Sequence, residues 1–456
     1  MGRKHGFDYD LIVIGSGTAG ATSAAIAAKA GKSVAIVESG AFGGAAHHRN
    51  DVPTAALLYS AGLYDQSIQS GNIGLRTNSI SYNYPALRAW QKTAIRRSGA
   101  ANRSYYEGLG IDIISGLAHF LTPNEISVGY RHFSAKYFVV ATGSNWRLPN
   151  VHGLSANGYQ TPDTVIDGIR KSKHYLIIGG GETGVETAQI LTSFGAKVTI
   201  AEAKSRLLPG YDPEAGQAIE KALSDKDVKV LADSRVLAIE GQDGSKRVLL
   251  ARGGSKKHLM VDSIVVAAGC LPETDLGLDN AGVNYTKNGV KVNDYMQTNI
   301  RHIFAVGDVT GQHGLTHLGI TEGRMAAHNI FNTNKIKVDH KSAPRIVLGY
   351  PNVAAAGLNE SECRAKGLKI KKVVVGLSGA VRSSTANFSD GFVKLIADGN
   401  GRLVGATIVA PNAAEMIHEL SLAITHQMSV TDLASSPRAF LSWSEAIGIA
   451  AQELTN

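Results

Sequence analysis

A chain of 456 residues has room for roughly three domains of ordinary size. With 44% apolar and 18% charged residues it has the composition of a normal globular protein, which excludes a disordered, collagenous or disulfide-scaffolded chain. The net charge of +8 comes from scattered basic residues whose densest groups are short, such as Arg96-Arg97 and Lys369-Ile370-Lys371-Lys372, so a solvated surface is the better reading than a nucleic-acid-binding face.

In chain order, Met1-Gly2-Arg3-Lys4-His5 lacks the layout of a signal peptide, and no apolar stretch of about 18 residues follows that could span a bilayer. The two cysteines, Cys270 and Cys363, form neither a CxxC pair nor a metal-ligand spacing. A reducing, cytoplasmic location is therefore expected.

Leu11-Ile12-Val13-Ile14 is a strand-like run leading into Gly15-Ser16-Gly17-Thr18-Ala19-Gly20. An Ala-rich helical stretch from Ala21 to Ala30 follows, then Gly31, then a second strand, Ser33–Val37, ending at Glu38. The pattern recurs. Leu176-Ile177-Ile178 leads into Gly179-Gly180-Gly181-Glu182-Thr183-Gly184, a helix through Phe194, and a strand Lys197–Ala201 ending at Glu202. Two such units predict two Rossmann-like parallel-sheet domains in an α/β fold. Pro149–Gly158 reads as a linker, and the pattern switches again near Leu271-Pro272 and Ala343-Pro344. Short alternating runs such as Lys372–Val375 and Val393–Ile396 then precede helical periodicity from Ala413 onward, predicting a C-terminal α+β domain.

The glycines have distinct jobs. Gly15 permits a tight turn, Gly17 lets the backbone approach a pyrophosphate, and Gly20 lets helix and strand pack closely; Gly179, Gly181 and Gly184 repeat the set. The helix that follows presents unsatisfied N–H groups to phosphates. Glu38 and Glu202 are placed to accept hydrogen bonds from a ribose. A carboxylate at Glu202 would repel the 2′-phosphate of NADP and so favours NADH, with NADPH not excluded because Lys204 and Arg206 follow closely.

Two further strands, Phe138–Ala141 ending in Thr142-Gly143 and Ile303–Val306 ending in Gly307-Asp308, complete a pattern. In order and spacing it resembles the pyridine nucleotide–disulfide oxidoreductases, the group of dihydrolipoamide dehydrogenase, glutathione reductase and mercuric reductase. The resemblance runs from about Tyr9 to Gln452. It implies an FAD-binding domain (residues 1–150 and 272–341), an NAD(P)-binding domain (151–271) and a C-terminal dimerisation domain (342–456), hence a homodimer. By the same resemblance Gly15, Gly17, Gly20, Glu38, Gly44, Thr142, Gly143 and Asp308 bind FAD, with Asp308 on the ribityl chain. Gly179, Gly181, Gly184 and Glu202 bind the nicotinamide nucleotide, and Glu186 lies near its ring.

The chain departs from that family where the disulfide motif falls. Gly43, Gly44, Pro53 and Leu57-Leu58 hold the register, yet Ala46 and Asp51 stand at the two cysteine positions and Ala55 at the lysine. An alanine and an aspartate cannot cycle through a disulfide. The family's C-terminal HPTxxE motif reads Phe440-Leu441-Ser442-Trp443-Ser444-Glu445, with phenylalanine for the acid–base histidine. Glu186, its lysine partner replaced by Ala55, is expected to be unpaired, and Cys270 to be an inert buried thiol. Asp51 with His47 or His48 forms a candidate proton-delivery pair; the alternative is a polar helix face without a catalytic role. Adjacent histidines on a helix point about 100° apart, which disfavours a metal site there. The expected activity is hydride transfer from NADH to FAD and on to a quinone-like or other small non-thiol acceptor. The rival expectation is a flavin-bound dimer that senses NAD(P)H or binds partners with negligible turnover.

Overall fold

A computed structural model describes residues 6–76, 79–98, 102–166, 172–312 and 314–456. They form two compact units, one of residues 1–54, 89–147 and 270–340, the other of residues 55–88, 148–269 and 341–456.

In the first unit, parallel strands are ordered Asp112–Ser115, Val34–Glu38, Tyr9–Ile14, Arg131–Val140, with Ile303–Ala305 on the far side of Arg131–Val140. Leu11 to Ile14, Val34 to Val37 and Phe138 to Val140 are all buried, because helices and strands cover both faces of the sheet. That is why these strands are continuous apolar runs in sequence rather than alternating ones. Register decides what the sheet delivers: Ile14 pairs Val140, and Val140 pairs Ala305. Three turns, at Gly15, Thr142-Gly143 and Gly307-Asp308, therefore leave one sheet edge together. Helix Thr18–Lys29 lies against helix Thr316–Phe331, and Gly323 makes the close approach possible, since a Cβ there would sit 2.2 Å from the Ala19 carbonyl oxygen.

The second unit has a parallel sheet ordered Lys229–Leu231, Lys197–Ala201, His174–Ile178, Ser263–Val266, and a three-stranded antiparallel sheet from Ser234 to Val261. Its five-stranded antiparallel sheet runs Arg345–Val347, Asn352–Gly357, Leu403–Ala410, Phe392–Asp398, Ile370–Gly376, covered by helices Ala413–Thr425 and Glu445–Thr455. Lys394 on this sheet is fully buried, paired with Asp212 at 3.1 Å, Glu214 at 2.9 Å and Glu360. Burial alone would depress its ammonium, but the three carboxylates hold it above its usual value. They are also the three groups that converge closely enough to hold a metal ion among the described residues, and here their charge is met by Lys394.

The first helix, expected from Ala21, begins three residues earlier at Thr18, inside the glycine motif, and the second likewise begins inside its motif, at Glu182. The sequence pattern carried no reading for residues 70–110, where a 14-residue helix, Tyr84–Arg97, is found. Among the described residues no helix is long and apolar enough to cross a membrane.

Candidate functional site

The two glycine crossovers are near copies. Gly15 and Gly179 have φ of +105° and +113°, and a Cβ on either would sit 2.2 or 2.3 Å from the carbonyl oxygen of Ala141 or Ala267. Only glycine fits both the backbone conformation and the space. A Cβ on Gly20 or Gly184 would lie 2.2 or 2.1 Å from the carbonyl oxygen of Gly15 or Gly179. At Gly17 and Gly181 the situation reverses, with nothing within 4 Å of a Cβ. Both are N-cap residues, and no side chain caps the first N–H groups of either helix. That arrangement fits a pyrophosphate, which would accept from those N–H groups and meet the positive end of the helix dipole.

The acidic strand ends match as well. Glu38 accepts from the Ser16 N–H at 2.9 Å and the Gly40 N–H at 2.7 Å; Glu202 accepts from the Gly180 N–H at 2.6 Å and the Lys204 N–H at 2.7 Å. Each carboxylate is thus clamped in the turn, at the place where a ribose would be read.

Ser16 makes the one added connection. Its hydroxyl donates to Glu38 at 2.6 Å and accepts from the Gly43 N–H at 2.9 Å. Gly44 lies over Gly17, where a Cβ would come within 2.6 Å of the Gly17 Cα. These contacts fix the start of the short helix Gly44–His48, which carries both histidines.

The histidines have different surroundings. His48 Nε2 is hydrogen-bonded to the Phe42 carbonyl at 2.8 Å. His47 Nδ1 is buried with no hydrogen-bond partner, and burial followed by the neighbouring His48 lowers its pKa from the usual histidine value, with Asp51 opposing. Asp51 opens helix Asp51–Gln69 and accepts from the Thr316 hydroxyl at 2.5 Å. Asp51 is solvent-exposed, with protein packed around its carboxyl. That desolvation raises its pKa, and Asp308 adds to the rise; the Thr316 bond, His47 and His317 work the other way. The structure thus brings Asp51 and His47 within electrostatic reach of each other and commits His48 elsewhere.

Asp308, in the turn Gly307–Thr310, accepts from the Ser144 hydroxyl at 2.7 Å. The Gly307 N–H donates to buried Glu322 at 2.6 Å, which anchors the turn to helix Thr316–Phe331. The Thr142 hydroxyl donates to the Glu273 carbonyl at 2.6 Å, and the Glu273 N–H donates to the Gly143 carbonyl at 2.9 Å, so the two segments close on each other.

Two expectations are corrected. Cys270 is solvent-exposed, because strand Cys270–Pro272 pairs only with the short strand Ser144–Trp146 and lies at the surface of its unit. It is hydrogen-bonded to Ser144, and its packed surroundings raise its pKa, followed by nearby Asp308; it is held as the thiol, a poor nucleophile. Cys363 is the buried one. Glu186 is not unpaired: in the second unit its carboxylate accepts from the Leu348 N–H at 2.8 Å, so backbone serves where a lysine was expected. Ala55, at that lysine position, lines a cavity of about 280 Å³ with Leu58, Gln189 and Leu348.

Sequence reasoning missed Ser16, Ser144, Thr316 and His317. Ser16 occupies a variable position of the glycine motif, and Thr316 and His317 lie 265 residues or more beyond Asp51. No local signal joins them.

The family model for the pyridine nucleotide-disulphide oxidoreductases matches residues 9–332, and that for their dimerisation domain matches residues 343–451. The chain belongs to the pyridine nucleotide-disulphide oxidoreductases. It is 31% identical over 450 residues to a mercuric reductase of Lysinibacillus sphaericus, covering 97% of this chain and 82% of that protein. A dihydrolipoyl dehydrogenase of Thermus scotoductus is 31% identical, with 98% and 97% covered, and a glutathione reductase of Burkholderia cepacia 33% identical, with 93% and 94% covered. The fold is that of the HOCl-induced flavoprotein disulfide reductase RclA from Escherichia coli, with a TM-score of 0.85 at 24% identity over 97% of this chain and 99% of that one. LpdA from Mycobacterium tuberculosis superposes with a TM-score of 0.87 at 23% identity, again over 97% and 99%. As a pyridine nucleotide-disulphide oxidoreductase the chain is an FAD-dependent, NAD(P)H-linked oxidoreductase, and the match to the dimerisation domain supports a homodimer.

Proposed function

We propose that this oxidoreductase passes electrons from NADH through FAD to a small non-thiol acceptor of the quinone type, without a disulfide relay. The observation that carries the reading is the segment from Gly43 to Ala55. Where relay thiols would stand it presents Ala46 and Asp51, and the chain's two cysteines, Cys270 and Cys363, lie outside it. FAD, when bound, supplies the two-electron carrier between nicotinamide and acceptor. Gly15, Gly17, Gly20 and Gly44 form its pyrophosphate cradle, Glu38 reads its ribose, Thr142 and Gly143 close over it, and Asp308 holds the ribityl chain. These residues belong to the FAD-binding domain assigned to residues 1–150 and 272–341.

In the domain of residues 151–271, Gly179, Gly181 and Gly184 cradle the nicotinamide nucleotide. Glu202 reads its ribose, and its buried carboxylate favours NADH by repelling a 2′-phosphate. Glu186, steadied by Leu348, faces the nicotinamide. His47 and Asp51 supply a proton to the acceptor: the unpartnered Nδ1 of His47 and the raised pKa of Asp51 are what support this role.

The test is NADH consumption by the purified flavoprotein with a naphthoquinone, against lipoamide and glutathione disulfide. Quinone turnover without disulfide turnover is expected. Rapid turnover of either disulfide would overturn the reading. No turnover with any of them would turn the assignment to an NAD(P)H-sensing or partner-binding dimer.

A further inference from the structure

Helix Thr316–Phe331 buries two polar side chains, Glu322 and Asn329, which stand two turns apart on one face. A buried carboxylate and a buried amide both need partners, and each finds one in the segment that follows the helix. The Asn329 side chain donates to the Ile336 carbonyl at 2.8 Å and accepts from the Ile336 N–H at 2.8 Å. Two residues on, the Val338 N–H donates to the Asp294 carbonyl at 3.0 Å, and the Val338 side chain is buried. Residues 332–340 form neither helix nor strand, yet these bonds lead the segment back along the helix to Glu322.

There the His340 Nε2 meets Glu322 Oε1 at 2.9 Å, with the carboxylate side chain 3% and the imidazole 18% exposed. An N–H donated to a buried carboxylate is poorly screened by water and belongs to the stronger class of hydrogen bonds. The other oxygen, Glu322 Oε2, accepts from the Gly307 N–H at 2.6 Å. Histidine, carboxylate and turn are thus joined in series, each link a hydrogen bond. Among the described residues His340 is the one ion-pair partner of Glu322.

The series ends on the turn Gly307–Thr310. Gly307 has a φ of +74°, and a Cβ there would come within 3.3 Å of the Ala19 Cβ, so the turn rests against the helix of the first glycine motif. The next residue is Asp308. Without His340 the Glu322 Oε1 would be buried and unpaired, a cost that favours any rotation of the carboxyl away from Gly307.

We propose that His340 is a positioning residue for the flavin site: through Glu322 it holds the Gly307 turn and so presents Asp308 to the ribityl chain. The inference rests on the assignment of Asp308 made above. No proton or electron passes along the series, whose part is to fix one backbone N–H.

Two readouts on the flavin-loaded protein test this. Hydrogen exchange of the peptide carrying Gly307, followed by mass spectrometry, reads the turn itself. His340→Leu should remove protection there, and His340→Gln, whose amide can donate from the place of Nε2, should restore it. Release of FAD, read as the rise of flavin fluorescence on dilution, shows the consequence. His340→Leu should raise the FAD dissociation constant about tenfold, the scale of losing one hydrogen bond to a charged group. In a Glu322→Gln background the same substitution should add little, because the two residues act through one link. The KM for NADH should stay unchanged in flavin-saturated His340→Leu, with ferricyanide, which takes electrons without protons, as acceptor. Unchanged exchange at Gly307, losses from His340→Leu and Glu322→Gln that simply add, or a KM for NADH raised alongside would each overturn the proposal. Asp308→Ala separates the two levels. If it held FAD as tightly as the native protein, the flavin assignment of the turn would fail and the proposal with it, even where exchange showed the His340 link intact.

Discussion

The two crossovers share their frame and part ways at one side chain. In the first, Ser16 stands between the glycines, and its hydroxyl joins Glu38 to the backbone of Gly43, so the nucleotide turn also aims the segment bearing His47 and Asp51. In the second, Gly180 stands there instead, and a Cβ would meet Leu207 at 2.5 Å. The second turn is closed by packing and has nothing further to position. A frame set by the steric demands of its glycines can thus be duplicated almost atom for atom, while one hydroxyl decides whether it also fixes the neighbouring segment.

The largest expected effect comes from filling the open space at Gly17 and Gly181. Gly17→Val should abolish flavin binding, seen as loss of the flavin absorbance in the purified protein. Gly181→Val should keep the flavin and raise the KM for NADH about tenfold or more, roughly 1.4 kcal/mol of lost binding per factor of ten. If both variants lost flavin alike, the separate roles of the two turns would be wrong.

Next comes the side chain that distinguishes them. Ser16→Ala leaves the buried Gly43 N–H without its partner and should cost about 1–3 kcal/mol in thermal or urea unfolding. It should also depress quinone turnover more than ferricyanide turnover. Gly180→Ala should cost less, because the terminal methyl of Leu207 can move aside where an unsatisfied N–H cannot. Equal losses would remove the contrast.

The smallest effect is electrostatic. The Asp51 carboxyl is raised in the folded protein, so between its unfolded and folded pKa the unfolded chain is ionised and the folded one is not. The ionised carboxylate therefore opposes folding once pH exceeds the folded value, and the penalty vanishes below the ordinary aspartate pKa near 3.9. Asp51→Asn should raise the unfolding free energy slightly at neutral pH, by less than about 1 kcal/mol because the group remains open to solvent. The gain should disappear near pH 3–4, within the range where an ordinary aspartate titrates. A variant less stable at every pH would show that the Thr316 bond outweighs desolvation.

What the sequence made legible follows from how local the cause is. Both crossovers were readable because strand, glycines, helix and acid lie within some 25 residues and each glycine answers to a steric demand of its neighbours. The substitution of Asp51 for a thiol was readable because Gly43, Gly44 and Pro53 hold the register. The difference between His47 and His48 was not, since it depends on the Phe42 carbonyl and on which imidazole faces inward. The Leu348 bond to Glu186 and the exposure of Cys270 were equally hidden, each being set by a partner more than 120 residues away.

The most direct test of the central claim, an oxidoreductase site without a relay disulfide, is an anaerobic titration of the oxidised flavoprotein with NADH, followed to full bleaching of the flavin. A site holding flavin alone should take up about one equivalent of NADH per flavin and show no long-wavelength thiolate–flavin absorbance on the way. A dithiol/disulfide couple is itself a two-electron acceptor, so uptake of about two equivalents, with that absorbance appearing at the midpoint, would contradict the account.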